Sequence, residues 1–136
     1  MREETQTSKV GQAIDAAKEH GGAAFVGYLP VGFPDLPGSI AAAKELVAAG
    51  ADVVEVGVPY SDPSMDGGVI QEATRMALEG GTRVADTFAM VEAIAGAGAT
   101  PIVMTYFNLV FRYGIKRFAR DLASAGGAGL ITPDLI

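Results

Sequence analysis

Apolar runs alternating with amphipathic helical stretches predict an α/β chain with a parallel sheet of (β/α) TIM-barrel type, about four strands of it. Three observations carry this. The runs at 23–29 (AAFVGYL), 51–58 (ADVVEVGV), 101–106 (PIVMTY) and 128–132 (AGLIT) are nearly continuous, as suits strands covered on both faces. They recur at roughly 28-residue intervals, with one longer gap that holds an extra helix. No G-x-G-x-x-G follows a strand, and the loop after the first, PVGFPDLPG, is rich in proline where a phosphate-cradling turn would want glycines. A barrel of eight strands takes about 250 residues. Residues 1–136 are therefore expected to form a single domain, the N-terminal half of such a barrel, with a closing helix in front.

In chain order, Ser8 caps a helix to about Glu19 with Val10, Ala13, Ile14 and Ala17 on one face, and Gly21-Gly22 stops it. Strand 23–29 follows. A helix is expected over 39–49, with Ile40, Ala43, Leu46 and Val47 inward, and then the second strand. After Gly67-Gly68 comes a short helix with Val69, Ile70, Ala73, Met76 and Ala77 at helical spacing. Thr82 is expected to cap a helix over 83–97 whose buried side is Val84, Phe88, Val91 and Ile94. The third strand leads to a polar-aromatic loop around Asn108. A helix over 114–125 carries Ile115, Phe118, Leu122 and Ala125 on one face, and the fourth strand ends at Pro133-Asp134.

Composition narrows the function classes. Apolar residues are 49% and charged residues 19%, enough for a packed core and against disorder. The formal net charge is −6, and the cations cluster only at Arg112, Lys116, Arg117 and Arg120, which read as a solvated helix face, so nucleic acid is not an expected partner. Cysteine is absent, which excludes disulfides and thiolate metal sites. No apolar run reaches the roughly 18 residues of a membrane span, and MREETQTSKV lacks the apolar core of a leader, so the expected location is cytoplasmic.

The chemistry concentrates in 51–68, ADVVEVGVPYSDPSMDGG. Glu55 interrupts a run of valines. Alternation puts Val54, Val56 and Val58 toward the helices and Glu55 into the barrel near the C-terminal mouth, where active sites of this architecture lie. Apolar neighbours disfavour its charged form, which suits a group that takes and gives protons. The competing reading is a glutamate paired with an arginine or backbone amides, although no arginine ends a strand. Asp66 precedes a glycine and reads equally as turn chemistry. Asp62, in Ser-Asp-Pro, suits loop orientation, helix capping or a partner contact. Tyr106 and Asn108, past the third strand, suit a pocket wall or core, and Asp134 suits the mouth or a turn.

The string EVGVPYSDPSMDG, with GYLPVGFPD before it and TYFNLVF and GLITPDL after it, resembles the alpha subunit of tryptophan synthase over nearly the whole chain. The resemblance implies an eight-stranded (β/α) barrel. It implies a lyase of tryptophan biosynthesis that splits indole-3-glycerol phosphate into indole and glyceraldehyde 3-phosphate by a retro-aldol step, with no cofactor or metal of its own. Glu55 matches the family's acid/base glutamate, and Asp66 the aspartate that accepts a hydrogen bond from the indole N–H. Tyr28 and Tyr106 fall at substrate-lining positions. The loops about 59–68 and 106–111 face the beta subunit, which holds pyridoxal phosphate at the end of an indole tunnel, making Asp62 and Asn108 interface candidates. Gly68 stands where family members usually carry proline, which loosens the loop. The family's phosphate-binding loops have no counterpart among these residues, so an isolated half is expected to turn over little substrate. The alternative is an assembly module, a half-barrel that pairs with a second copy or with a missing half across its strand edges. A Schiff-base aldolase is disfavoured because Lys9, Lys18, Lys44 and Lys116 all fall in helices.

Overall fold

Residues 8–135 are described by the computed structural model, so the leader-type reading of residues 1–7 lies outside them. The order of elements is α1 (Lys9–Glu19), β1 (Val26–Pro30), α2 (Leu36–Ala48), β2 (Val53–Gly57), α3 (Gly68–Glu79), α4 (Asp86–Gly96), β3 (Thr100–Met104), α5 (Phe107–Tyr113), α6 (Ile115–Ser124) and β4 (Leu130–Ile131). The four strands form one parallel sheet in sequence order. That topology matches the sequence expectation. Among the described residues no helix is long and apolar enough to cross a membrane.

The valine run explains the core. Val54, Val56 and Val58 meet Ala43 of α2, Met90, Val91 and Ile94 of α4, and Phe118 and Leu122 of α6, all buried. Gly27 sits where α2 crosses β1, and a Cβ there would come within 2.4 Å of Leu46 Cδ2, so the missing side chain lets the helix seat closely. α1 follows its predicted cap, with the Gly11 N–H donating to Ser8 Oγ at 3.0 Å, and its apolar face is half-buried.

Several boundaries differ from expectation, and β1 begins at Val26, three residues later than expected. α2 begins at Leu36 because Asp35, not Ser39, caps it, accepting the Gly38 N–H at 2.7 Å, while proline in the first turn needs no partner. Ser39 is instead buried inside the first turn, donating to the Leu36 carbonyl (2.9 Å) and accepting the Gly32 N–H (3.0 Å). Thr82 does not cap α4, since its N–H closes the end of α3 on the Ala77 carbonyl (3.0 Å) and its side chain packs on Gly32. α4 starts at Asp86, whose carboxylate holds the Arg83 N–H at 2.7 Å in a preceding turn. The polar-aromatic loop around Asn108 is the helix α5. On α3 the face is rotated from the predicted one: Ala73, Thr74 and Ala77 are buried, whereas Val69 and Met76 are exposed. Ile115, at the start of α6, is likewise exposed.

One buried group lacks a partner among the described residues: Thr87 Oγ1, on a fully buried side chain of α4. A buried hydroxyl without a hydrogen bond costs more than a methyl in its place. Thr87→Val is therefore expected to stabilise the chain by about 1 kcal/mol in urea unfolding. A loss of stability would show that the hydroxyl is bonded.

Candidate active site at the strand ends

The register builds the site. Tyr28 on β1, Glu55 on β2 and Ile102 on β3 are Cα partners across the sheet, and the next row toward the mouth is Leu29, Val56 and Val103. Since side chains alternate, Tyr28 and Glu55 share the face opposite the helix-packed valines. Glu55 is half-buried, with Val53 fully buried two residues before it. Among the described residues its carboxylate makes no ion pair or hydrogen bond. Burial pushes its pKa above the ordinary carboxylate range.

Gly57 gives this face its shape. A Cβ there would lie 2.0 Å from the Tyr28 hydroxyl oxygen and 2.6 Å from Cζ, so the ring lies directly against the glycine and extends to the strand end. The phenol is pushed well above its usual pKa, first by burial and then by the fields of Asp66, Glu55 and Tyr106. It is a neutral hydrogen-bond donor throughout the physiological range. Both candidate carboxylates thus bear electrostatically on one hydroxyl.

Asp66 reaches that place on the loop after β2. The Val58 N–H continues the ladder onto the Met104 carbonyl (3.0 Å), and Pro59 is buried. The Tyr60 ring then packs on Tyr106, centroids 5.1 Å apart. Met65 donates its N–H to the Tyr106 hydroxyl at 2.8 Å, and Gln71 Nε2 donates to the Asp66 carbonyl at 2.8 Å. Asp66 is half-buried and its pKa is raised by that burial. Glu55 on β2 and Asp66 on the loop after it are thus both half-buried, and both bear electrostatically on the Tyr28 phenol.

The other candidates lie elsewhere. Asp62 is exposed and accepts the Ser61 hydroxyl at 2.8 Å. Asn108 is exposed on α5, its Nδ2 donating to the Tyr60 hydroxyl at 3.3 Å. Both border a groove of about 780 Å³ on the outer side of the loop, with Arg83 and Arg112 on its walls. Asp134 caps α5, accepting the Phe107 N–H at 3.0 and 3.2 Å. Sequence reasoning passed over Tyr60, whose signal was its place just past β2, matching Tyr106 just past β3. No three histidine or acidic side chains come together as a metal-binding group among the described residues.

Comparison with known proteins agrees across sequence and structure. The sequence model of the tryptophan synthase alpha chain family matches residues 14–136. Tryptophan synthase alpha chains of Mycobacterium bovis and Mycobacterium leprae are each 58% identical over 134 residues, 98% of this chain and 50% of theirs. The chain thus spans about half the length of the curated relatives it matches. A crystal structure of tryptophan synthase from M. tuberculosis superposes with a TM-score of 0.94 at 58% identity, covering 96% of this chain and 53% of that one. The alpha subunit from Legionella pneumophila gives 0.88 at 31% identity, covering 94% and 50%. On the sequence match, reinforced by these superpositions, the chain belongs to the tryptophan synthase alpha chain family.

Proposed function

We propose that this chain carries the acid/base half of an indole-3-glycerol phosphate lyase, its four strands forming the first half of an eight-stranded barrel and residues 1–136 one domain. The observation that carries the reading is the pair of half-buried carboxylates past the start of β2, Glu55 and Asp66, neither of them paired among the described residues and both acting electrostatically on Tyr28. In the retro-aldol step, C3 of the indole gains a proton and the hydroxyl on the adjoining glycerol carbon loses one. The carbon–carbon bond breaks, its electron pair returns to the ring, and the hydroxyl carbon becomes the aldehyde of glyceraldehyde 3-phosphate. Glu55 handles the hydroxyl proton, a task its raised pKa suits near neutral pH. Asp66 accepts the indole N–H and stabilises the positive charge that grows there when C3 is protonated. Tyr28 lines the substrate and offers a donor that stays protonated, while Tyr106, with Tyr60, backs the loop.

These steps use side chains alone. Pyridoxal phosphate is expected in the partner beta subunit, which we place against the outer groove with Asp62 and Asn108 as contacts. On this reading the reaction runs in the cytoplasm, which the family resemblance supports.

A second reading rests on a separate observation. Val26 on β1 and Leu130 and Ile131 on β4, at the two edges of the sheet, are 44%, 41% and 40% exposed. Unpaired apolar edges favour pairing with another half-barrel. Sedimentation of the purified chain tests it: a dimer is expected, and a monomer at high concentration would exclude self-association.

For the lyase reading, Glu55→Gln in an assembled barrel that cleaves indole-3-glycerol phosphate is expected to lower kcat by about 10²–10⁴-fold with little change in KM. Retention of wild-type kcat would reject the assignment. The stability of the chain should also report the burial. A carboxylate with a raised folded pKa binds its proton more tightly folded than unfolded, so its contribution is full below about pH 4 and is lost as pH rises through the folded value. Wild type is expected to lose stability relative to Glu55→Gln between pH 4 and neutrality in urea titrations. Parallel curves would mean that Glu55 is fully hydrated.

A further inference from the structure

Tyr106 was expected as a lining residue, yet it is only 3% exposed and its hydroxyl is already engaged by Met65 N–H. Tyr60 covers its ring, and Asn108 braces Tyr60 from outside. The loop it holds has little else to fix it. The Met65 side chain is 68% exposed and anchors nothing inside. Among the described residues Asp62 bonds only to its neighbour Ser61, and a Cβ at Gly67 or Gly68 would meet nothing within 4 Å. Between buried Pro59 and the start of α3, the side chains that bond the backbone among the described residues are Tyr106 at the Met65 N–H and Gln71 at the Asp66 carbonyl, while the Gly67 carbonyl accepts the Gln71 N–H at 2.9 Å. These two points flank the Asp66 side chain, which has no hydrogen bond of its own among the described residues.

We propose that Tyr106 is a positioning residue for Asp66, acting through the Met65 amide to hold the acidic loop against the end of β3 so that the Asp66 carboxylate stays beside Tyr28 and Glu55. The proposal builds on the lyase reading for what Asp66 does, and stands on the hydrogen bond and the packing for where Asp66 is held. Without the bond, the 61–66 stretch swings out on its glycine hinge and the carboxylate hydrates. The Tyr28 phenol lies in the fields of Asp66, Glu55 and Tyr106 together, and no cation pairs with Asp66 among the described residues.

Tyr106→Phe tests this, since it keeps the ring and its stacking and removes only the acceptor. Amide exchange at Met65 is expected to quicken about five- to tenfold while the exchange of the β2 and β3 amides is unchanged. In side-chain carbon NMR the Asp66 midpoint is expected to fall toward that of an ordinary aspartate while that of Glu55 stays put. Met65→Pro removes the donor from the other side of the same bond without touching a buried ring, and should lower the Asp66 midpoint likewise. A folded variant of either kind that leaves the Asp66 midpoint at its wild-type value would overturn the proposal. Activity separates the two readings: if Asp66→Asn in an assembled, active barrel kept full turnover while Tyr106→Phe still shifted the Asp66 titration, the lyase role of Asp66 would fall and the positioning role would remain.

Discussion

The parallel register of β1, β2 and β3 is the constraint on which the rest of the molecule depends. It is set from both ends. At the start, the Phe25 N–H donates to Asp52 Oδ2 at 2.7 Å while the Asp52 N–H donates to the Phe25 carbonyl at 3.0 Å, clamping the entry of β1 to that of β2. At the other end the Tyr28 ring fits only because its diagonal neighbour is Gly57. A slip of one residue would turn Glu55 toward α4 and α2, into the apolar core with Ile94 and Ala43, and turn a buried valine outward. The fold thus enforces one orientation of the carboxylate, and the valines that drive sheet burial enforce its partial dehydration.

Charges elsewhere on the chain are arranged in the opposite way. Arg75 is paired with Glu72 and Glu79 along α3, and Arg120 with Asp121 on α6. Those pairs are exposed, and such pairs contribute little to stability. Among the described residues Glu55 and Asp66 have no such partner and give up hydration without an ionic return. Carboxylates held this way are disfavoured as structure and suited to proton transfer, because their protonated and ionised forms lie closer in free energy near neutral pH.

The loop that brings Asp66 in is built on aromatic packing and a few bonds to backbone. Tyr60 and Tyr106 sit just past equivalent ends of adjacent parallel strands, so the pairing of β2 with β3 is what sets their rings in contact. Through Asn108 the same cluster reaches the surface groove bordered by Asp62, Arg83 and Arg112. The mouth and the outer groove are in this way two faces of one loop, divided by a tyrosine pair.

Local chemistry in the sequence determined the strands, their parallel order, the helix faces of α1, α2 and most of α4, and the inward direction of Glu55, because hydrophobic period and alternation act over a few neighbours. The motif around 55–66 also singled out Asp66 as a candidate, which composition alone could not tell from a turn residue. Tertiary structure decided what depends on distant partners. Asp134 satisfies the first N–H of α5, 27 residues away, and a seven-residue helix has too little local stability to announce itself without such help. The end of α3 takes the Thr82 N–H and so shifts the start of α4. Tyr106 is read from sequence as a wall of the pocket, but its hydroxyl meets Met65, 41 residues away, only when β2 and β3 are side by side. Local pattern marked the candidate carboxylates; long-range pairing, which no local pattern encodes, decided which backbone groups tie down the loop between them.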